Sequence, residues 1–90
     1  MNIKSIFVVC SQIDWKAFDR LETVIEMSGI EHRAYVVKGH GASITFPTEV
    51  APSIDAVKRF FSIANCDYRF GFNFSNTEGK FCTSVFMEEN

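Results

Sequence analysis

Gly39-His40-Gly41-Ala42-Ser43 is the stretch whose residue types come nearest to a reactive or binding loop. Two glycines flanking an imidazole can turn successive backbone N–H groups toward an anion, with His40 as a donor or proton carrier. The same glycines supply the positive φ angles of a tight hairpin, with His40 at its tip. A phosphate-binding loop leads into a helix, whereas this one leads into the strand-like Ala42–Phe46, so the spacing favours the hairpin. His32, His40, Cys10, Cys66 and Cys82 are the softer metal ligands, but no two stand at the short spacings of a zinc site, and neither metal nor cofactor is expected. A Cys–His couple for nucleophilic catalysis would require the fold to carry Cys10 or Cys82 to a histidine. Glu22/Glu26 and Glu88/Glu89 read as solvated charge and not as an acid–base pair in a cleft. The expectation is a protein that is not an enzyme.

Composition narrows the class further. The 90 residues are 47% hydrophobic, too apolar for disorder and enough for one small domain, spanning 1–90, with one core. Seven of the ten Phe fall between Phe60 and Phe86, so the second half supplies much of that core. Nine basic against eleven acidic side chains give a net charge of −2 and no basic stripe, which argues against a nucleic-acid partner. The apolar run Ile6 to Cys10 is far short of the roughly 20 residues of a membrane span. Three cysteines without a CxxC pair suit a reducing, cytoplasmic setting.

The elements that must position any site follow from periodicity. Ile3 to Cys10 reads as a strand apolar on both faces, as expected in the middle of a sheet. Asp14 to Ser28 reads as a helix whose Ala17, Phe18, Leu21, Val24 and Ile25 share one stripe, with Asp14 or Ser11 as cap and Gly29 as terminator. Arg33–Lys38 and Ala42–Phe46 form a hairpin around Gly39-His40-Gly41, pairing Val36 with Ile44 and Ala34 with Phe46. A second helix covers about Ser53 to Ala64, with Ala56, Val57, Phe60, Ile63 and Ala64 inward. Tyr68, Phe70, Phe72 and Phe74 alternate with polar or small residues, and a loop over 76–79 returns the chain as a fifth strand pairing Phe74 with Phe81 and Phe70 with Val85. The order β-α-β-β-α-β-β predicts an α+β, ferredoxin-like sandwich, a mainly antiparallel sheet in the strand order 5-4-1-3-2 with both helices on one face.

The other face of that sheet is the expected working surface. It would carry Tyr35, Val37, Arg69, Cys82 and Phe86 among polar neighbours, with either Phe7 and Val9 or Ile6 and Val8 from the first strand. That mixture is too apolar for a purely wetted surface and too polar for a second core, which points to an interface. The partner expected is a protein, either a second copy in a dimer or trimer or a different chain, as for a small regulator or a phage-type inhibitor. An RNA-binding module is the competing class, because Ile6-Phe7-Val8-Val9 and Arg69-Phe70-Gly71-Phe72 have the aromatic character of base-stacking strands.

Three short strings add a resemblance. Gly29-Ile30 after the first helix, Val37-Lys38-Gly39-His40-Gly41 at the end of the second strand and Glu78-Gly79-Lys80-Phe81 before the last strand resemble the PII-like signalling proteins. That resemblance implies a ferredoxin-like core, a trimer, and small effectors, often nucleotides, held in clefts between subunits. It also implies that Lys38, Gly39, Gly41 and Lys80 would touch the effector. The chain departs from that pattern in having a tight turn where the family carries a long loop between the second and third strands.

Overall fold

Local chain order accounts for the two longer helices. A computed structural model of the protein describes residues 1–8, 14–37 and 40–87. Helix α1 runs Trp15–Met27, and its first turn is closed by Asp14, whose Oδ1 accepts the N–H of Lys16 (3.0 Å) and Ala17 (3.3 Å). Gly29, at φ 80°, ends it in the left-handed conformation that a side chain would strain. Helix α2 runs Ile54–Ile63, capped by the Ser53 hydroxyl on the Ala56 N–H. Its far end is a complete Schellman turn: Asn65, at φ 52°, donates to Ser62 O and Cys66 donates to Phe61 O.

The strands are β1 (Ile3–Val8), β2 (Arg33–Val37), β3 (Gly41–Thr45) and β4 (Asn73–Asn76), arranged β2-β3-β1-β4 with every neighbouring pair antiparallel. Ala34, Ile44, Ile6 and Phe74 lie opposite one another across the four strands and turn toward the helices. Ala17, Phe18, Leu21 and Ile25 of α1 and Val57 and Phe61 of α2 complete that core. A register shift between Ile3 and Ser5 turns both Ile3 and Ile6 inward, three positions apart. The first two residues of β1 are also tied down from outside the ladder, by Ile3 N–H to Pro52 O (2.7 Å) and Phe46 N–H to Lys4 O (2.8 Å).

Three expectations need correction. The first hairpin pairs Val36 with Ala42 and Ala34 with Ile44, two positions from the expected register. A shift of two leaves every side chain on its expected face. In α2 the buried stripe is Val57, Phe61 and Ala64, while Ile63 is 71% exposed, because Phe61 is the aromatic that reaches β4.

The third correction concerns the tail, where no fifth strand forms among the described residues. Thr83–Met87 is instead a short helix, α3. The outward N–H of Phe74, which a fifth strand would have paired, is taken by the Thr83 hydroxyl (3.1 Å). Phe86 then folds over the core and stacks on Phe74, with ring centroids 3.7 Å apart and planes 8° from parallel. Burial of a large aromatic outweighs a few more ladder hydrogen bonds. The expected strand around Tyr68–Phe74 also begins late. The Asp67 carboxylate accepts the Arg69 N–H (2.9 Å) in an Asx turn, and Gly71 follows at φ 83°.

Candidate functional site

Among the described residues nothing covers the face of the sheet turned away from the helices. Two rows cross it, Arg33–Thr45–Ser5–Ser75 and Tyr35–Ser43–Phe7–Asn73. Phe81 extends the surface past β4. Its single bridge to Ser75 sets its ring on the same face, and the ring centroids of Phe81 and Phe7 are 5.9 Å apart. Phe81 is 79% exposed, Val37 58% and Tyr35 56%, whereas Phe7 is half-buried beneath Phe81. The result is an apolar band across a sheet about 14 Å wide, set among hydroxyl and amide side chains. A hydrogen bond between the Ser5 and Ser75 hydroxyls ties β1 to β4 within it. Near the hairpin tip a shallow depression of about 290 Å³ is bounded by Tyr35, Val37, His40, Gly41 and Ser43.

The residues singled out from sequence divide clearly. Phe7, Tyr35 and Val37 come together on this face, with Gly41 at its edge opposite Val37. His40 is exposed beside them, its N–H on Val37 O (2.9 Å). Lys38 and Gly39 lie outside the described residues, as do Val9, Cys10, Ser11, Glu88 and Glu89. Lys80 stands at the opposite end of the sheet from Gly41, because Gly41 begins β3 beside Val8 and Lys80 closes the turn beside Ile3.

Arg69 and Phe86, expected on the open face, are elsewhere. Arg69 sits in the loop after α2, its guanidinium on Asp67 (3.1 Å), and those hydrogen bonds hold the Asp67 carboxyl below its usual range. Phe86 is fully buried, and so is Cys82.

Phe81 is the contributor that sequence reasoning missed, since it was expected inward opposite Phe74. The signal lay in Asn76. Its Oδ1 accepts the N–H of both Glu78 (2.9 Å) and Lys80 (3.0 Å), closing a turn that sets Phe81 opposite Ser75 instead.

A second concavity, of about 350 Å³, opens between the start of α1 and the loop after α2. Arg20 reaches across it to the carbonyls ending α2, Nε on Ala64 O (2.8 Å) and Nη2 on Asn65 O (3.2 Å). A cation there satisfies orphan carbonyls and opposes the negative end of the helix dipole. Cys66 lines the same space, and burial pushes its thiol up to about 11. Burial raises Cys82 as well. Both sulfurs are therefore held in the unreactive protonated form at neutral pH. Among the described residues no group of three or more His, Cys, Asp or Glu side chains is placed to hold a metal ion, and no helix is long and apolar enough to cross a membrane. Compared with protein-family models, with curated proteins and with solved structures, the chain matches none.

Proposed function

We propose that the chain is a small interaction protein that performs no chemistry of its own and holds another protein against the uncovered sheet face. The observation that carries this reading is the apolar band of Phe7, Phe81, Tyr35 and Val37 on the face the helices leave open. Large side chains held there by a rigid sheet lose little entropy on docking, and aromatic residues are the usual anchors of protein interfaces. The surrounding Ser5, Ser43, Thr45, Asn73 and Ser75 offer hydrogen bonds at the rim, and Arg33 adds one cation. The partner that fits presents aliphatic or aromatic side chains with carbonyl or carboxylate acceptors around them. Protonated, buried thiols at Cys66 and Cys82 favour a binding role over a nucleophilic one. A ferredoxin-like frame goes with this reading, supported by the β-α-β-β-α-β order and by the β2-β3-β1-β4 sheet.

The test uses the protein as bait against extract of its own cells, with Phe81→Glu and Tyr35→Glu as comparison baits. The expected result is a partner retained by the wild type and lost, by at least about tenfold, from both variants at unchanged circular dichroism and melting temperature. A partner retained equally by all three baits overturns the assignment of this face.

A further inference from the structure

The two edges of the sheet are not alike. The outer edge of β4 is occupied by its own chain, through the Cys82 N–H on Phe74 O (2.9 Å), the Thr83 hydroxyl on the Phe74 N–H and the bridge of Phe81 to Ser75. Among the described residues nothing pairs with the outer edge of β2. Exposed edges are ordinarily protected by proline, by charged side chains, lysine above all, or by a bulge. Arg33–Val37 contains no proline or lysine, its one charge stands at its first position, and its register with β3 runs without interruption. Its side chains are also exposed on both faces, Tyr35 and Val37 on the open face and Val36, 47% exposed, on the helix side. A partner lying on the open face would cover the first two and leave Val36 in water. A strand added beside β2 would cover all three.

We infer that β2 pairs antiparallel with β2 of a second copy, about a two-fold axis at Tyr35, joining two four-stranded sheets into one of eight. The length of the strand and the position of its single charge suit this occupant and this register. Only with Tyr35 on the axis do all five residues of β2 find a partner: Arg33 opposite Val37, Ala34 opposite Val36, and Tyr35 opposite itself. The one charge in the strand, Arg33, then faces an aliphatic side chain and stands four positions, about 14 Å, from its symmetry mate, so no like charges are opposed. Val36 packs beside Ala34 of the other copy on the helix side, and the two tyrosines meet on the open face. The contact is isologous, and it closes at two copies because the described residues of each leave one edge unpaired. It goes beyond the open-face reading: it shares Tyr35 and Val37 with that face but adds the backbone edge of β2 and Val36, and it leaves Phe7 and Phe81 out.

An interface one strand long buries less than the roughly 1,000 Å² of a tight complex, so a reversible dimer is expected, filling between about 10 µM and about 1 mM. Light scattering over that range should show the mass rising from 10.2 kDa toward twice that value. Val36→Lys, which leaves the open face untouched, should stay at the monomer mass with an unchanged far-ultraviolet spectrum. Phe81→Glu, remote from β2, should dimerise like the wild type even if it loses the open-face partner. A wild type that remains monomeric at about 1 mM overturns the inference and leaves the edge to an extended segment of some other protein. A dimer that survives in folded Val36→Lys overturns it too. If that variant does not fold, amide exchange of the wild type decides: protection within residues 33–37 must rise with protein concentration, and constant protection overturns the pairing.

Discussion

Cys66 lines the space between the end of α2 and the start of α1, and its protonation state is coupled to folding. Burial raises its thiol to about 11 against an ordinary 9.0, with Arg20 opposing and Asp14 and Asp67 adding to the rise. The folded chain therefore keeps this proton over a range in which the unfolded chain has lost it. Stability from this group is fully present below pH 9 and is lost as pH rises from there toward 11, by an amount on the order of 1–3 kcal/mol. Denaturant unfolding of the wild type and Cys66→Ala at pH 8 and pH 10.5 checks the sign. The wild type should lose more stability between the two pH values than the variant, and equal losses would place the alkaline sensitivity elsewhere. Asn76 matters through a different force. It is buried, and its amide oxygen receives the backbone N–H groups of both Glu78 and Lys80. Asn76→Ala should cost about 1–3 kcal/mol. Asn76→Asp, which keeps the acceptor, should recover most of that; no difference between the two would mean that packing, not acceptance, holds the turn.

At the scale of elements, the tail is where packing decides against local pattern. Phe61 of α2 meets the edges of Tyr68 and Phe72 and the tilted ring of Phe74, and α3 lays Phe86 over Phe74 and against Tyr68. Lys58 reaches over the Tyr68 and Phe86 rings at about 6 Å, capping the cluster with a cation. Phe86→Ala should therefore cost about 3–5 kcal/mol, while Phe81→Ala, an exposed ring, should change stability by less than about 1 kcal/mol. Chemical denaturation of the two variants distinguishes a buried α3 from an exposed fifth strand, for which the costs would be reversed. The contrast marks what the sequence makes legible. In α1 the cap Asp14, the stripe Phe18-Leu21-Ile25 and the terminator Gly29 all act within a few residues, so local order is enough. Tyr35 and Val37 are legible for a similar reason, since a hairpin slipped by two still presents the same face. The alternation of Tyr68, Phe70, Phe72 and Phe74 suits a strand and an aromatic cluster equally well. What selects the cluster is the pair of Asx turns at Asp67 and Asn76, a local signal, together with the reach of Phe61, which is visible only once the pieces are assembled. Phe81 was misplaced inward and Phe86 outward for these two reasons.

For the molecule as a whole, the decisive contacts join the ends of the chain. Ser5 and Ser75 face each other across 70 residues, and β1, between β3 and β4, has a partner on each side. The radius of gyration, 11.9 Å, is close to the roughly 12 Å of a compact chain of this length. With so few local contacts able to stand alone, the helices and the β2–β3 hairpin should have no stability apart from the assembled sheet. Trp15, the single tryptophan, packs edge-on against the buried Phe18 and so reports on α1 and its core, while far-ultraviolet circular dichroism reports on all elements together. In urea the two signals should follow one transition with a common midpoint. A separate, earlier fluorescence transition would show α1 leaving a sheet that persists without it. That outcome would undermine the reading of the open face as a rigid platform, because Phe7 is carried on β1, whose opposite side is buried under the helices. Coincident transitions would mean that the apolar band is presented whenever the chain is folded, with its anchors ordered before any partner arrives.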